Sequence, residues 1–164
     1  MIELKKITLL SDNMKECIAL DIAPEKKDSV YSNAFTLAWA YTNTVRNKQM
    51  ECRAIYVSGK MVGLIRYHRY VDNLQYNGET IYYIAPFMVD KNHLDNGYEE
   101  VALKQLVDEI LTKPLGDATA IYASFKVKAT DMKNWCKAAG FVETHMDWAS
   151  EDPNNICTVM RISL

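Results

Sequence analysis

Few residues in this chain combine the types and spacing that chemistry demands. Glu79, at the head of an apolar stretch, and Glu25, in an N-terminal helical region, are carboxylates suited to accept a proton. Cys136 carries a thiol whose ordinary pKa, near 8.5, suits proton donation close to neutral pH. It also shares an apolar helical face with Met132, Trp135 and Ala139, where an unpaired cysteine more often serves as core. A covalent role would need a base partner, and none is local in sequence. Trp39, with Phe35 and Tyr41, offers ring faces to an aliphatic ammonium group, although packing is the commoner use of such rings. Tyr82 and Tyr83 project to opposite faces of one strand, so one of them could line a cleft, although packing is the default use. His68, His93 and His145 are scattered and lack metal-ligand spacing, so no metal is expected. The phosphate loop G-x-x-x-x-G-K-[ST], the elbow G-x-S-x-G and the zinc motif H-E-x-x-H do not occur.

The elements that must position these groups are legible from periodicity. Ile2 to Thr8 reads as a strand, and Ser11 and Asp12 as caps for a short helix with Met14, Cys17 and Ile18 on one face. Pro24 suits the first turn of a second helix, whose stripe is Val30, Ala34, Leu37, Ala38 and Tyr41. Cys52 to Val57 and Met61 to Tyr70 form a hairpin through Ser58-Gly59-Lys60. Asn77-Gly78 ends the next loop, and Glu79 to Val89 is a third strand. Pro86 within that strand predicts an edge position or a bulge, because proline donates nothing to a ladder. Leu103, Leu106, Val107, Ile110 and Leu111 define the clearest helix. Ala120 to Phe125 is a short apolar run suited to a buried parallel strand. Thr130 opens a last helix that Gly140 stops. Phe141 to Ala149 and Ile156 to Ser163 are strands joined through Asp152-Pro153-Asn154-Asn155. The order is β-α-α-β-β-β-α-β-α-β-β, one mixed α/β domain over residues 1–164, with a single parallel crossover.

Composition bounds the function. The 164 residues include 19 Lys+Arg against 21 Asp+Glu, a net charge of -2, which lacks the basic surplus of a general nucleic-acid binder. No apolar run is long enough to span a membrane, and the charged first ten residues do not read as a signal peptide. Cys17, Cys52, Cys136 and Cys157 form no CxxC pair and read as free thiols of a cytoplasmic protein.

The element order, together with the stretch from Phe87 to Leu103, resembles the GNAT superfamily of N-acetyltransferases. Phe87-Met88-Val89 followed by Leu94-Asp95-Asn96-Gly97-Tyr98-Glu99 is similar to that family's strand, Q/R-x-x-G-x-G/A loop and helix. Trp135-Cys136-Lys137-Ala138-Ala139-Gly140-Phe141 is similar to its L-Y-x-x-L-G-F tail. Asn13 to Tyr41 is similar to bacterial polyamine or diamine acetyltransferase-like members.

The resemblance implies acetyl-CoA as co-substrate. Its pantetheine would run along the strand end at Phe87, Met88 and Val89, and its diphosphate would meet the bare amides from Leu94 through Glu99. It also implies a primary amine of a small molecule, polyamine-like, as acceptor, with Glu25, Trp39 and Tyr83 shaping that site and Glu79 and Cys136 as candidate base and acid. Exposed strands near the C-terminus fit a homodimer. Leu94 stands at the Gln/Arg position, Glu99 at the second small position and Cys136 at the usual tyrosine. Carboxylates at Glu99 and Glu100 oppose a diphosphate, which keeps a second expectation open: a GNAT-like binding or regulatory domain with weakened or lost catalysis.

Overall fold

The computed structural model describes residues 1–7, 13–24, 31–47, 49–126, 129–145 and 157–164. In chain order the elements are β1 (Ile2–Lys6), α1 (Asn13–Ala19), α2 (Asn33–Asn47), β2 (Met50–Val57), β3 (Lys60–Asn73), β4 (Glu79–Val89), α3 (Tyr98–Leu111), β5 (Ala120–Lys126), α4 (Thr130–Ala138), β6 (Val142–Glu143) and β7 (Cys157–Ser163). This is the expected order. Ser11, Asp12, Glu25, Val30 and the turn through Asp152-Pro153-Asn154-Asn155 lie outside the described residues.

Seven strands form one sheet in the order β1-β2-β3-β4-β5-β7-β6. The β2–β3 hairpin closes through Ser58 and Gly59, both at positive φ (50° and 82°), as a two-residue turn with the twist of its strands requires. Only β4 and β5 run parallel, joined by the α3 crossover. The alternating residues of β2 to β5 feed two cores. Ile65, Tyr67, Tyr82, Ile84 and Ile121 pack under Leu103, Leu106 and Ile110 of α3. Cys52, Ala54, Leu64 and Met88 pack on the other face with Cys17 of α1 and Ala40 of α2.

Pro24 lies outside α2, which begins only at Asn33, and two further expectations change. The buried stripe of α2 is Asn33, Thr36 and Ala40, with Leu37 half-buried, and Tyr41 is exposed. The helix is rotated because Asn33 is needed inside, where its amide donates to the carbonyls of Cys17 (3.1 Å) and Leu20 (3.0 Å) at the end of α1. Pro86 is not on an edge strand, since β4 lies between β3 and β5. It occupies a bulge: Ile65 pairs with Phe87 and Tyr67 with Ile84, so Ala85 and Pro86 together face the single residue Arg66.

Candidate active site

The sheet opens where the bulge lies. The ladder between β4 and β5 runs from Ile81–Ala120 to Ile84–Ala123 and stops there. Beyond it, β4 still pairs with β3 through Phe87, Met88 and Val89, while Ser124 to Lys126 of β5 pair only with β7. A strand that loses one partner exposes a row of backbone donors and acceptors. A cleft of about 440 Å³ fills this opening. Ala85 to Val89 form its β4 wall, and Ser124, Phe125 and Lys126 form the β5 wall. Met132 and Trp135 of α4 close one side, with Trp135 6.4 Å from Phe87 between ring centroids.

The start of α3 stands at one end of the cleft. Gly97 precedes it at φ 71° and supplies no side-chain cap. A Cβ built there meets nothing within 4 Å, so glycine serves the backbone angle and not space. Gly97 itself offers the first-turn N–H groups no side-chain acceptor, and a helix start of this kind suits an anion. Glu99, only 5% exposed, is also on the cleft wall.

The opposite end is aromatic. Arg66, His68 and Tyr70 alternate along β3 and share one face. Tyr83 lies opposite His68 in the register, and its hydroxyl is 2.5 Å from Ser124 Oγ. Burial raises the pKa of Tyr83 and of Tyr70. It pushes His68 down to about 4, helped by the Arg66 charge, so His68 is neutral at pH 7. Trp39 of α2 covers Arg66, the guanidinium carbon lying 4.3 Å from the ring centroid. Arg66 Nε donates to the Ala85 carbonyl at the bulge (2.6 Å), which ties this cation to the point where the sheet opens.

Of the residues expected at the site, Trp39, Tyr83, Phe87, Met88, Val89 and Glu99 come together around the cleft. Leu94 and Tyr98 turn toward the core on the α3 face instead. Asp95 takes a positive φ of 62°, and the Asn96 amide donates back to the His93 and Leu94 carbonyls, so these two shape the loop. Glu25 is not among the described residues.

The structure does not bring the two proposed catalytic groups to the cleft. Cys136 is fully buried in the α3–α4 core, and that burial pushes its thiol up to about 12. Glu79 begins β4, six residues and about 20 Å of strand before the bulge. Its carboxylate accepts from Thr119 Oγ1 (2.8 Å) and Arg161 Nη2 (3.1 Å), which hold its pKa low.

Sequence reasoning missed Arg66, Tyr70, Ser124 and Lys126 on the cleft wall. The available signal was Arg66-Tyr67-His68-Arg69-Tyr70, a strand carrying cations on both faces. Among the described residues no group of acidic, histidine and cysteine side chains is placed to hold a metal, and no helix is long and apolar enough to cross a membrane.

No family profile matches this chain, and no curated protein matches it in sequence. Solved structures do match in shape. A ribosomal-protein-alanine N-acetyltransferase from Brucella melitensis superposes at TM-score 0.71 with 12% identity, covering 99% of each chain. Spermidine N-acetyltransferase from Vibrio cholerae, in complex with CoA and spermine, superposes at 0.69 with 13% identity over 99% of this chain and 95% of that one. A GNAT-family acetyltransferase from Streptococcus pneumoniae superposes at 0.65 with 10% identity over the whole of both chains. Identities this low speak to architecture alone: a mixed seven-stranded sheet, open between its two parallel strands, is the GNAT acetyltransferase fold.

Proposed function

We propose that the protein is an acetyl-CoA-dependent N-acetyltransferase acting on a primary amine of a small molecule. The observation that carries this reading is the opening between β4 and β5, with the uncapped start of α3 at its end. The residues fit the co-substrate in the middle of the cleft, where the edge of Phe87 to Val89, beyond the end of the β5 ladder, can pair with pantetheine amides as an added strand. They fit less well at the α3 end, where Glu99 brings a carboxylate to the diphosphate position. Bound there, acetyl-CoA supplies an activated acetyl thioester.

The chain's own part in the chemistry is positioning. Free N–H groups along β4 beyond Ile84 are donors for a carbonyl oxygen as charge builds on it. Tyr83 and Ser124 form a hydroxyl pair facing the place where an amine enters. Glu99 is the only carboxylate among the described wall residues, and it stands at the α3 end. His68 lies opposite Tyr83 in the register but is not on the wall, so no described wall residue beside Tyr83 is a base. The amine therefore reacts from its neutral fraction, which is roughly one part in 2,500 at pH 7 for a group of pKa about 10.4. Log kcat/KM should climb with slope near one between pH 6.5 and 9. A plateau near neutrality would assign a base outside the described residues, and Glu25→Gln would then test the expected one.

A polyamine acceptor rests on likeness to spermidine acetyltransferases, and the wall cations Arg66 and Lys126 weigh against a polycation. The regulatory-domain reading is favoured by Glu99 and by the burial of Cys136. Melting with acetyl-CoA separates the two. At about 100 times its dissociation constant the ligand adds ~2.7 kcal/mol, or roughly 5–10 °C in a chain of this size. No shift at millimolar acetyl-CoA would refute the transferase. A shift with no thiol release on any amine would favour the binding domain.

A further inference from the structure

Arg53 and Arg66 are equally buried, at 5% exposure each, and their surroundings differ. Arg53 is paired with Glu51 and Glu109. Arg66 pairs with no carboxylate among the described residues. Its Nε is spent on the Ala85 carbonyl and its plane on Trp39, while Nη1 is buried with no hydrogen-bond partner. A buried guanidinium with an unfilled donor is costly, and a protein keeps one where a ligand completes it. Arg66 forms part of the cleft wall, on the face it shares with Tyr70 and Tyr83. Its planar fork matches a carboxylate or a phosphate and repels a second cation.

We infer that the acceptor amine also carries an anionic group, a carboxylate or a phosphate monoester, which pairs with Arg66. This rests on the N-acetyltransferase reading. The amine would sit toward Tyr83 and Ser124, with its anionic end held by the guanidinium. Lys126 on the facing wall adds a second positive charge. A butylamine-like or polyamine acceptor leaves Nη1 unfilled, so specificity follows from the penalty as much as from the attraction.

The test uses 4-aminobutyrate, phosphoethanolamine, butylamine and putrescine with the wild type, Arg66→Met and Arg66→Lys. In the wild type the anionic amines are expected to raise the melting temperature while butylamine and putrescine do not, and Arg66→Met abolishes that rise. The ratio of kcat/KM for 4-aminobutyrate over butylamine should fall about tenfold or more in Arg66→Met, the size expected for a charge-assisted hydrogen bond. A response confined to 4-aminobutyrate assigns a carboxylate, and one confined to phosphoethanolamine assigns a phosphate. If Arg66→Met fails to fold, Arg66→Lys, which keeps the charge and loses the fork, should still lower the ratio. An unchanged ratio, or equal loss on neutral and anionic amines, overturns the inference. Absence of any acetyl-CoA shift and of any turnover would sink the transferase reading alone, and the melting shift with anionic amines would still decide Arg66.

Discussion

Replacing Arg53 tests how the sheet holds α3, and so how the cleft is held. Arg53 Nε donates to Glu109 Oε2 at 3.1 Å, and Nη2 reaches Glu109 Oε1. Nη2 also donates to the Tyr67 hydroxyl (3.1 Å), which in turn donates to Glu109 Oε1 (2.9 Å), while Glu51 forms a second ion pair. This cluster ties β2 and β3 to the last turn of α3. Arg53→Met leaves Glu109 without its cation and Glu51 with Lys6 alone. Removing one partner of a fully buried pair costs about 3–5 kcal/mol. The side chains of Glu51 and Glu109 are 21% and 26% exposed, so water recovers part of that. The expected cost is about 2–4 kcal/mol, or roughly 5–15 °C in melting temperature for a chain of this size. Urea unfolding followed by circular dichroism reads it.

The loss has a pH signature. Burial alone would raise Glu51, but the Arg53 and Lys6 cations outweigh it and hold its pKa below the ordinary value. The stability Arg53 confers through Glu51 is therefore complete above the unfolded carboxylate pKa and fades as pH falls through the lower folded one. The gap between wild type and Arg53→Met should narrow below pH 4.5. Adding Glu51→Gln and Glu109→Gln should recover more than half of the loss at pH 7. A single variant within about 1 kcal/mol of wild type, or a gap that widens in acid, would refute the reasoning.

His68 is held down to about 4 from an ordinary 6.5, so the unfolded chain takes up its proton first as pH falls. Stability should decline by about 1–2 kcal/mol from pH 6.5 to 4 once solvent screening of this partly exposed ring is allowed for, and His68→Phe should flatten that decline; an unchanged acid limb would reject it. Gly63→Ala places a Cβ 2.5 Å from the Met88 carbonyl, in backbone that cannot yield cheaply. It should cost about 1–3 kcal/mol by urea unfolding and weaken acetyl-CoA binding, because Met88 is part of the β4 wall. Glu99→Gln removes a carboxylate from the cleft wall at the start of α3. Acetyl-CoA should then bind about tenfold tighter by calorimetry, and equal affinity would show that Glu99 does not oppose the phosphates.

Element order, the α3 crossover and the turn at Ser58-Gly59 were legible in the sequence because each rests on local chemistry. Apolar spacing sets a helix or strand, and positive φ selects glycine. The loop through Gly97 was legible only through its resemblance to the GNAT motif. Which cations meet which carboxylates was not. Arg53 and Arg66 lie on opposite faces of neighbouring strands, and nothing local distinguishes them. Only the packing of α3 against one face and α2 against the other gives Glu109 to the first and Trp39 to the second. The apolar face around Cys136 already pointed to the core, whereas only the strand's place in the sheet shows that Glu79 is kept from the cleft. Pro86 carried both kinds of information. Its missing N–H foretold an edge position or a bulge, and the sheet alone decided that it is a bulge in a central strand, where the cleft opens.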